Sequence, residues 1–207
     1  MQGRTPIVLT VCAAMLAVVG CHKSNSVDKG AFKSAIDDYY NARQECVWQN
    51  PVKFPAQADS SNEDQTKGFD ALTDAGMLTR AVAEKKRFLV GSKSVTNYDL
   101  SEKGRSTWTA EQTQPGYGNF CYGHDSVASI DSYTPSSNDA NAYAVTYHYK
   151  VGSLPGWAQT TEMQTAFPKI VDDTSGTKTA TANLTKTTNG WQVTSVQNAG
   201  EGASLPQ

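Results

Sequence analysis

The chain has 207 residues, of which 38% are hydrophobic and 18% are charged, and its 18 basic and 20 acidic residues give a net charge of −2. A length of this order suits one or two small domains. The nearly balanced charge argues against a dedicated nucleic-acid-binding protein, because such proteins carry a basic surface.

The first twenty-one residues are the most informative segment of the chain. Arg4 precedes an apolar stretch over residues 7–19, and the segment closes with Val18-Val19-Gly20-Cys21. This layout predicts a secretory signal peptide over residues 1–20. The apolar stretch of about a dozen residues is shorter than the roughly 20 residues of a membrane-spanning helix. A cleaved signal with an incidental cysteine and an uncleaved anchor are the alternative interpretations.

The end of this segment resembles the lipobox of bacterial lipoproteins, where a small apolar run is closed by Gly-Cys. The resemblance implies that Cys21 becomes the first mature residue, carries acyl chains and anchors the protein to a membrane, because stable anchoring requires more than one chain. Neither His22 nor Lys23 is the acidic residue that retains such lipoproteins at the inner membrane. The resemblance therefore implies an exported protein on the outer membrane, facing the periplasm, with residues 21–28 as a lipidated tether.

Two cysteines remain when the signal peptide is removed and Cys21 is acylated. An oxidising compartment favours a disulfide between Cys46 and Cys121. Such a bond would close a loop of about 75 residues and contribute roughly 4–5 kcal/mol to stability if it is unstrained. Two buried free thiols are the alternative. The two cysteines lie far apart without a CxxC or HxxxH pattern, which argues against a metal site.

Helical spacing of apolar residues predicts a first helix over residues 29 to about 48, with Asp28 as its N-cap. A loop with two prolines follows up to residue 61. Phe69 and Leu72 supply the apolar face of a second predicted helix over about residues 62–75, which Gly76 ends.

Residues 69–105 resemble the second half of a winged-helix domain, especially that of MarR-type regulators. Residues 72–80 are similar to the pattern Leu-x-x-x-Gly-Leu-x-x-Arg, and residues 100–105 to Leu-Thr-x-x-Gly-Arg. The resemblance implies a winged-helix-like module over residues 29–115, and it concerns fold more than function. The wing lacks the family's Asp-x-Arg motif, and Asp37 and Asp38 stand in the first helix where a phosphate-contacting face would be basic. We therefore expect no nucleic-acid partner.

Residues 116–198 predict a small antiparallel sheet with one packed helix, which makes the predicted fold class α+β. The strict alternation of apolar residues over residues 143–151 is the clearest strand signal, and Asn189-Gly190 is a strong hairpin signal. The predicted elements are strands over 117–133 and 143–151, a helix over 161–171, and a hairpin of strands over 178–187 and 191–196. Residues 199–207 are predicted to be a disordered tail.

The three histidines show no clustering in the sequence. His148 falls on the polar face of its predicted strand, His124 and Asp125 would point to opposite faces of theirs, and His22 belongs to the tether. The sequence contains no Gly-x-Ser-x-Gly elbow and no Gly-rich phosphate loop. We therefore assign no catalytic residue, no metal ligand and no cofactor from the sequence.

Basic residues cluster between residues 80 and 105, where seven of them face only Glu84, Asp99 and Glu102. The seven are Arg80, Lys85, Lys86, Arg87, Lys93, Lys103 and Arg105. Such charges ordinarily form a solvated surface. The alternative is an anionic partner, namely lipid headgroups, lipopolysaccharide or an acidic envelope protein. The four tryptophans are predicted to belong mostly to the core, with a sugar-stacking platform as the alternative.

These observations favour a membrane-anchored envelope lipoprotein that acts as a non-enzymatic interaction or accessory protein. The first alternative is a periplasmic enzyme acting on the cell wall or on glycans, which predicts a deep cleft between the modules with converging carboxylates or His124. The second alternative is a winged-helix DNA-binding regulator, which requires the signal peptide to be misread.

Overall fold

The computed structural model describes residues 28–86, 92–152 and 154–198, and the predicted signal peptide, Cys21, most of the tether and the tail lie outside these ranges. The helices are α1 (Lys29–Asn41), α2 (Glu63–Asp74), α3 (Glu102–Thr107), α4 (Thr161–Ala166) and α5 (Pro168–Thr174), with a 3₁₀ turn at Gly156–Gln159. The strands are β1 (Glu45–Cys46), β2 (Val52–Lys53), β3 (Ala56–Asp59), β4 (Leu78–Lys86), β5 (Ser92–Leu100), β6 (Trp108–Ala110), β7 (Tyr117–Gly123), β8 (Asp125–Pro135), β9 (Ala142–Val151), β10 (Lys178–Thr187) and β11 (Gly190–Asn198).

The C-terminal half of the chain forms an antiparallel meander in the order β11-β10-β9-β8. Val145, Tyr147 and Tyr149 of β9 are buried on one face of this sheet, while Thr146 and His148 lie partly exposed on the other. The predicted alternation is therefore confirmed, and it gives the sheet one apolar face to cover.

Helix α1 covers that apolar face. Phe32 and Ile36 are fully buried against the sheet, and the ring centroid of Phe32 lies 4.9 Å from that of Trp191. Asp28 caps the helix by accepting a hydrogen bond of 2.8 Å from the backbone N–H of Gly30. The helix ends at Asn41 rather than near residue 48, because the next residues turn to pair with β7.

A second antiparallel sheet has the order β3-β5-β4 and packs beside α2. Asn62 caps α2 by accepting a hydrogen bond of 3.2 Å from the N–H of Gln65. Gly76 follows the helix with a φ of 78°, which a side chain would disfavour. The predicted helix before Gly76 is confirmed, and the antiparallel strands β4 and β5 follow it.

The third sheet is built around β7, which pairs with β1 and β2 along one edge and with β6 along the other. Gly118 in β7 is required by its neighbours, because a Cβ atom there would lie 2.4 Å from the carbonyl oxygen of Thr109. This small sheet connects the segment after α1 to the middle of the chain.

The predicted fold of a winged-helix-like N-terminal module followed by a small sheet with one helix is wrong. Strands dominate the structure, in three antiparallel sheets. Helix α1, which such a module would need, packs on the C-terminal sheet because that sheet buries its apolar face. A hydrophobic core separate from the one around α1 contains residues from both sides of residue 115, for example Leu72 and Met163. The DNA-binding alternative thereby loses the fold on which it was based.

The single helix predicted over residues 161–171 is divided into α4 and α5. Phe167 leaves the helical conformation with φ −127° and ψ 77°, and Pro168 starts α5 at its first position. Proline lacks the N–H that a continuous helix would use at that point, so a new helix begins there.

The attachment of α1 to the C-terminal sheet can be measured. Phe32→Ala should lower the free energy of unfolding by about 3–5 kcal/mol, because it removes a fully buried ring. Ser34→Ala, at an exposed position of the same helix, should change it by no more than about 0.5 kcal/mol. Urea unfolding followed by circular dichroism checks both values, and a Phe32→Ala effect below about 1 kcal/mol would contradict this packing.

Candidate functional site

The predicted basic cluster divides into two parts in the structure. At its base, Arg80 pairs with Asp70 at 2.8 Å. Arg105 lies 3.7 Å from Asp99, and Nζ of Lys103 donates a hydrogen bond of 2.9 Å to the carbonyl of Ala75. These three basic groups are therefore engaged within the protein.

The remaining basic residues belong to the far end of the hairpin formed by β4 and β5, which we call the basic hairpin end (Lys85, Lys86 and Lys93). The strand register places Lys85 directly opposite Lys93 and Lys86 opposite Ser92. Like charges directly opposite on neighbouring strands destabilise a hairpin. Arg87, which also belongs to the predicted basic cluster, lies outside the described residues, as does the predicted lipidation site Cys21.

The predicted disulfide between Cys46 and Cys121 is confirmed. Cys46 of β1 and Cys121 of β7 are register partners on adjacent antiparallel strands and are bonded across a sequence separation of 75 residues. Disulfides of this kind are typical of proteins that fold in an oxidising compartment, which is consistent with an exported protein. No helix within the described ranges has the length and hydrophobicity needed to cross a membrane.

A cavity of about 710 Å³, which we call the disulfide cleft, lies beside this bond. Its floor is formed by β7, and its sides come from the chain between α1 and β2 and from β6 with the residues that follow it. Among the residues that line it are Asn41, Gln44, Glu45, Trp48, Gln49, Glu111, Gln112 and Lys169.

Trp48 is held rigidly at this cleft. Its backbone N–H donates to Oδ1 of Asn119 at 3.2 Å, and Nδ2 of Asn119 donates to the Trp48 carbonyl at 2.7 Å. The buried Asn119 side chain thus replaces a strand neighbour in the gap between β1 and β2. The Trp48 ring is packed among four phenylalanine rings at centroid distances of 5.9–6.2 Å.

An ionic network, which we call the Lys169 network, lies at one end of the cleft. Nζ of Lys169 contacts Glu45 and Asp173 and lies 3.3 Å from the hydroxyl of Tyr122. Tyr122 donates a hydrogen bond of 2.5 Å to Asp173, and Lys178 contacts Asp173 at 3.2 Å. Burial alone would raise the pKa of Asp173, but the hydrogen bonds from Lys169 and Tyr122 outweigh it and lower that pKa.

Asp125 lies near this network. Its pKa is raised to about 6, first because the carboxyl is half-buried and second because Glu45 repels its charge, although Lys178 and Lys169 oppose these effects. The ionised carboxylate is therefore a source of instability in the folded protein at neutral pH.

Sequence reasoning missed the Lys169 network. Lys169 and Asp173 stand four residues apart, which predicts a pair on one helix. Glu45 lies 124 residues and Tyr122 lies 47 residues away from Lys169, so no local pattern could reveal that they meet.

The two histidines of the described ranges, His124 and His148, are not among the residues that line the cleft. His148 is partly exposed on the polar face of β9, where its Nδ1 lies 3.0 Å from the Thr179 hydroxyl. His124 is exposed between β7 and β8. Within the described ranges, no three side chains of His, Cys, Asp or Glu are grouped so that they could hold a metal ion.

The carboxylates of the cleft have environments that suit binding better than acid catalysis. A general acid requires a raised pKa. Hydrogen bonds from the backbone and hydroxyl of Thr113 lower the pKa of Glu111, and Glu45 is paired with Lys169. The lowered pKa makes Glu111 unsuited to act as a proton donor at neutral pH.

No protein-family model, no curated protein and no solved structure matches this chain.

The raised pKa of Asp125 predicts a pH-dependent gain in stability from Asp125→Asn. Above pH 6 the wild-type carboxylate is ionised in the folded state, so the amide should stabilise the protein by about 1 kcal/mol, allowing for the solvent that reaches the half-buried group. The gain should disappear below about pH 4, where the carboxyl is protonated in both the folded and the unfolded state.

Thermal or urea unfolding at pH 8 and pH 3.5 measures this difference. Asp131→Asn, at an exposed position of the same strand, is the matched control and should stay within about 0.5 kcal/mol of wild type at both pH values. An Asp125→Asn variant less stable than wild type at pH 8 would contradict the assignment.

Proposed function

We propose that this protein is an exported lipoprotein, anchored to the outer membrane through acylated Cys21, and that it acts as a non-enzymatic interaction protein whose basic hairpin end contacts anionic lipid headgroups. The observation that carries the interaction is the register of β4 and β5, which places Lys85 opposite Lys93. A phosphate group would be attracted to two lysines that stand at facing positions of neighbouring strands. The confirmed disulfide supports export, and the lipobox-like ending supports the anchor.

Lipid phosphates, from phospholipid or lipopolysaccharide, are favoured over an acidic protein by proximity. Residues 22–28 are the only chain between the proposed anchor and α1, and seven extended residues span no more than about 25 Å. The tether therefore keeps the start of α1 within this distance of the bilayer, so the protein meets lipid headgroups at high effective concentration. Each lysine near an anionic surface contributes about 1 kcal/mol to membrane binding.

The anchor is tested by Cys21→Ser. This variant should appear in the soluble fraction after a wash at about 0.5 M salt, because such salt screens the remaining electrostatic attraction. The wild-type protein should stay with the membranes under the same wash. Cell fractionation with immunoblotting measures both. Membrane retention of the variant at high salt would rule out the acyl anchor.

The basic hairpin end is tested with the soluble Cys21→Ser protein and vesicles. Replacing Lys85 and Lys93 by Gln should weaken binding to vesicles that contain phosphatidylglycerol by about 2 kcal/mol, or roughly 30-fold. The same change of net charge at Lys53 and Lys150, which are exposed elsewhere, should weaken binding by less than about threefold.

Sedimentation at low and high salt measures these affinities, with pure phosphatidylcholine vesicles as the uncharged reference. Equal losses in the two double variants would contradict a specific role of the hairpin. Absence of binding to phosphatidylglycerol and to lipopolysaccharide, with binding to an acidic protein instead, would contradict the lipid partner.

A further inference from the structure

The disulfide cleft has the size of a ligand site and a chemistry that the proposed membrane contact does not use. Its volume of about 710 Å³ lies within the range of roughly 300–1,000 Å³ that is usual for small-molecule sites. Its floor is rigid, because the Cys46–Cys121 bond joins β1 to β7 there.

Neutral amides dominate the rim of this cleft. Asn41, Gln44, Gln49 and Gln112 are exposed, and their side chains make no hydrogen bond to any residue that the structure describes. Each carboxamide offers two N–H donors and one carbonyl acceptor on a single planar group. The rim can therefore donate to and accept from the same ligand group.

The charged groups of the cleft do not favour an anion. Lys169 is paired with Glu45 at one end, and Glu111, which accepts hydrogen bonds from the backbone N–H and the hydroxyl of Thr113, keeps its negative charge. An anionic ligand would be repelled by Glu111 and would compete with Glu45 for Lys169, whereas a neutral polar ligand would not.

Trp48 lines the cleft and is fixed before any ligand arrives. The side chain of Asn119 is hydrogen-bonded to both the backbone N–H and the backbone carbonyl of Trp48. The partly buried Trp48 ring is packed among phenylalanines. A preorganised lining lowers the entropy lost on binding.

From these contacts we infer that the disulfide cleft binds a neutral oligosaccharide, on the order of two or three sugar units in size. Sugar hydroxyls both donate and accept hydrogen bonds, as the rim amides do. Binding of a peptide by strand addition is disfavoured, because the N–H groups of Val47 and Trp48 are already bonded to Phe120 and Asn119.

The test uses the full chain in a detergent without a sugar headgroup, with the N-acetylglucosamine trimer and maltotriose as probes. Titrations by isothermal calorimetry and saturation-transfer NMR should show binding of at least one trisaccharide. The double variant Gln49→Ala/Gln112→Ala, which alters both sides of β7, should weaken that binding at least about tenfold, or about 1.4 kcal/mol.

The matched control is Gln197→Ala, an exposed glutamine on β11, which should leave the affinity unchanged. An uncharged tripeptide is titrated as a third probe. The inference is overturned if neither trisaccharide binds at about 10 mM, or if the tripeptide alone binds. It is also overturned if the double variant binds a trisaccharide as tightly as the wild-type protein does. None of these outcomes affects the lipid contact of the hairpin, because the vesicle experiments involve different residues.

Discussion

Phe120, Cys121 and Tyr122 are consecutive residues of β7, and each is fixed by a different kind of interaction. Phe120 is fully buried among aromatic rings, Cys121 is covalently bonded to Cys46, and the hydroxyl of Tyr122 donates a hydrogen bond to Asp173. The preceding residue, Asn119, holds the backbone of Trp48. The position of the chain between α1 and β2, and with it the disulfide cleft, therefore depends on this one strand.

The two proposed interactions use surfaces of different character. The basic hairpin end carries lysines that the strand register places on facing positions of β4 and β5, so its proposed attraction to a membrane should depend strongly on salt. The disulfide cleft is a concave surface with neutral amides on its rim that have no partner among the described residues, so its binding of a neutral ligand should depend little on salt. An anchored protein with both surfaces would hold a neutral glycan close to a bilayer.

The sequence predicted local structure well and long-range packing poorly. The alternation in β9, the hairpin at Asn189-Gly190 and the helix before Gly76 were predictable because each depends on neighbouring residues. The packing of α1 was not, because a helix with an apolar face can pack on any sheet that needs covering.

The candidate sites show the same division between local and long-range information. The disulfide followed from cysteine count and compartment, and the charge of the hairpin followed from composition. The Lys169 network and the Asn119 contact to Trp48 join distant segments, so no spacing rule could identify them.

The ring contact between Phe32 and Trp191 joins α1, the first helix of the described residues, to β11, their last strand. The core around α1 cannot close until β11 is available, so α1 must wait for every element between them. This order delays the tertiary structure around α1 until β11 has been synthesised. A chain that ended before β11 would leave Phe32 without Trp191 and expose part of the apolar face of α1, which marks it for aggregation or proteolysis.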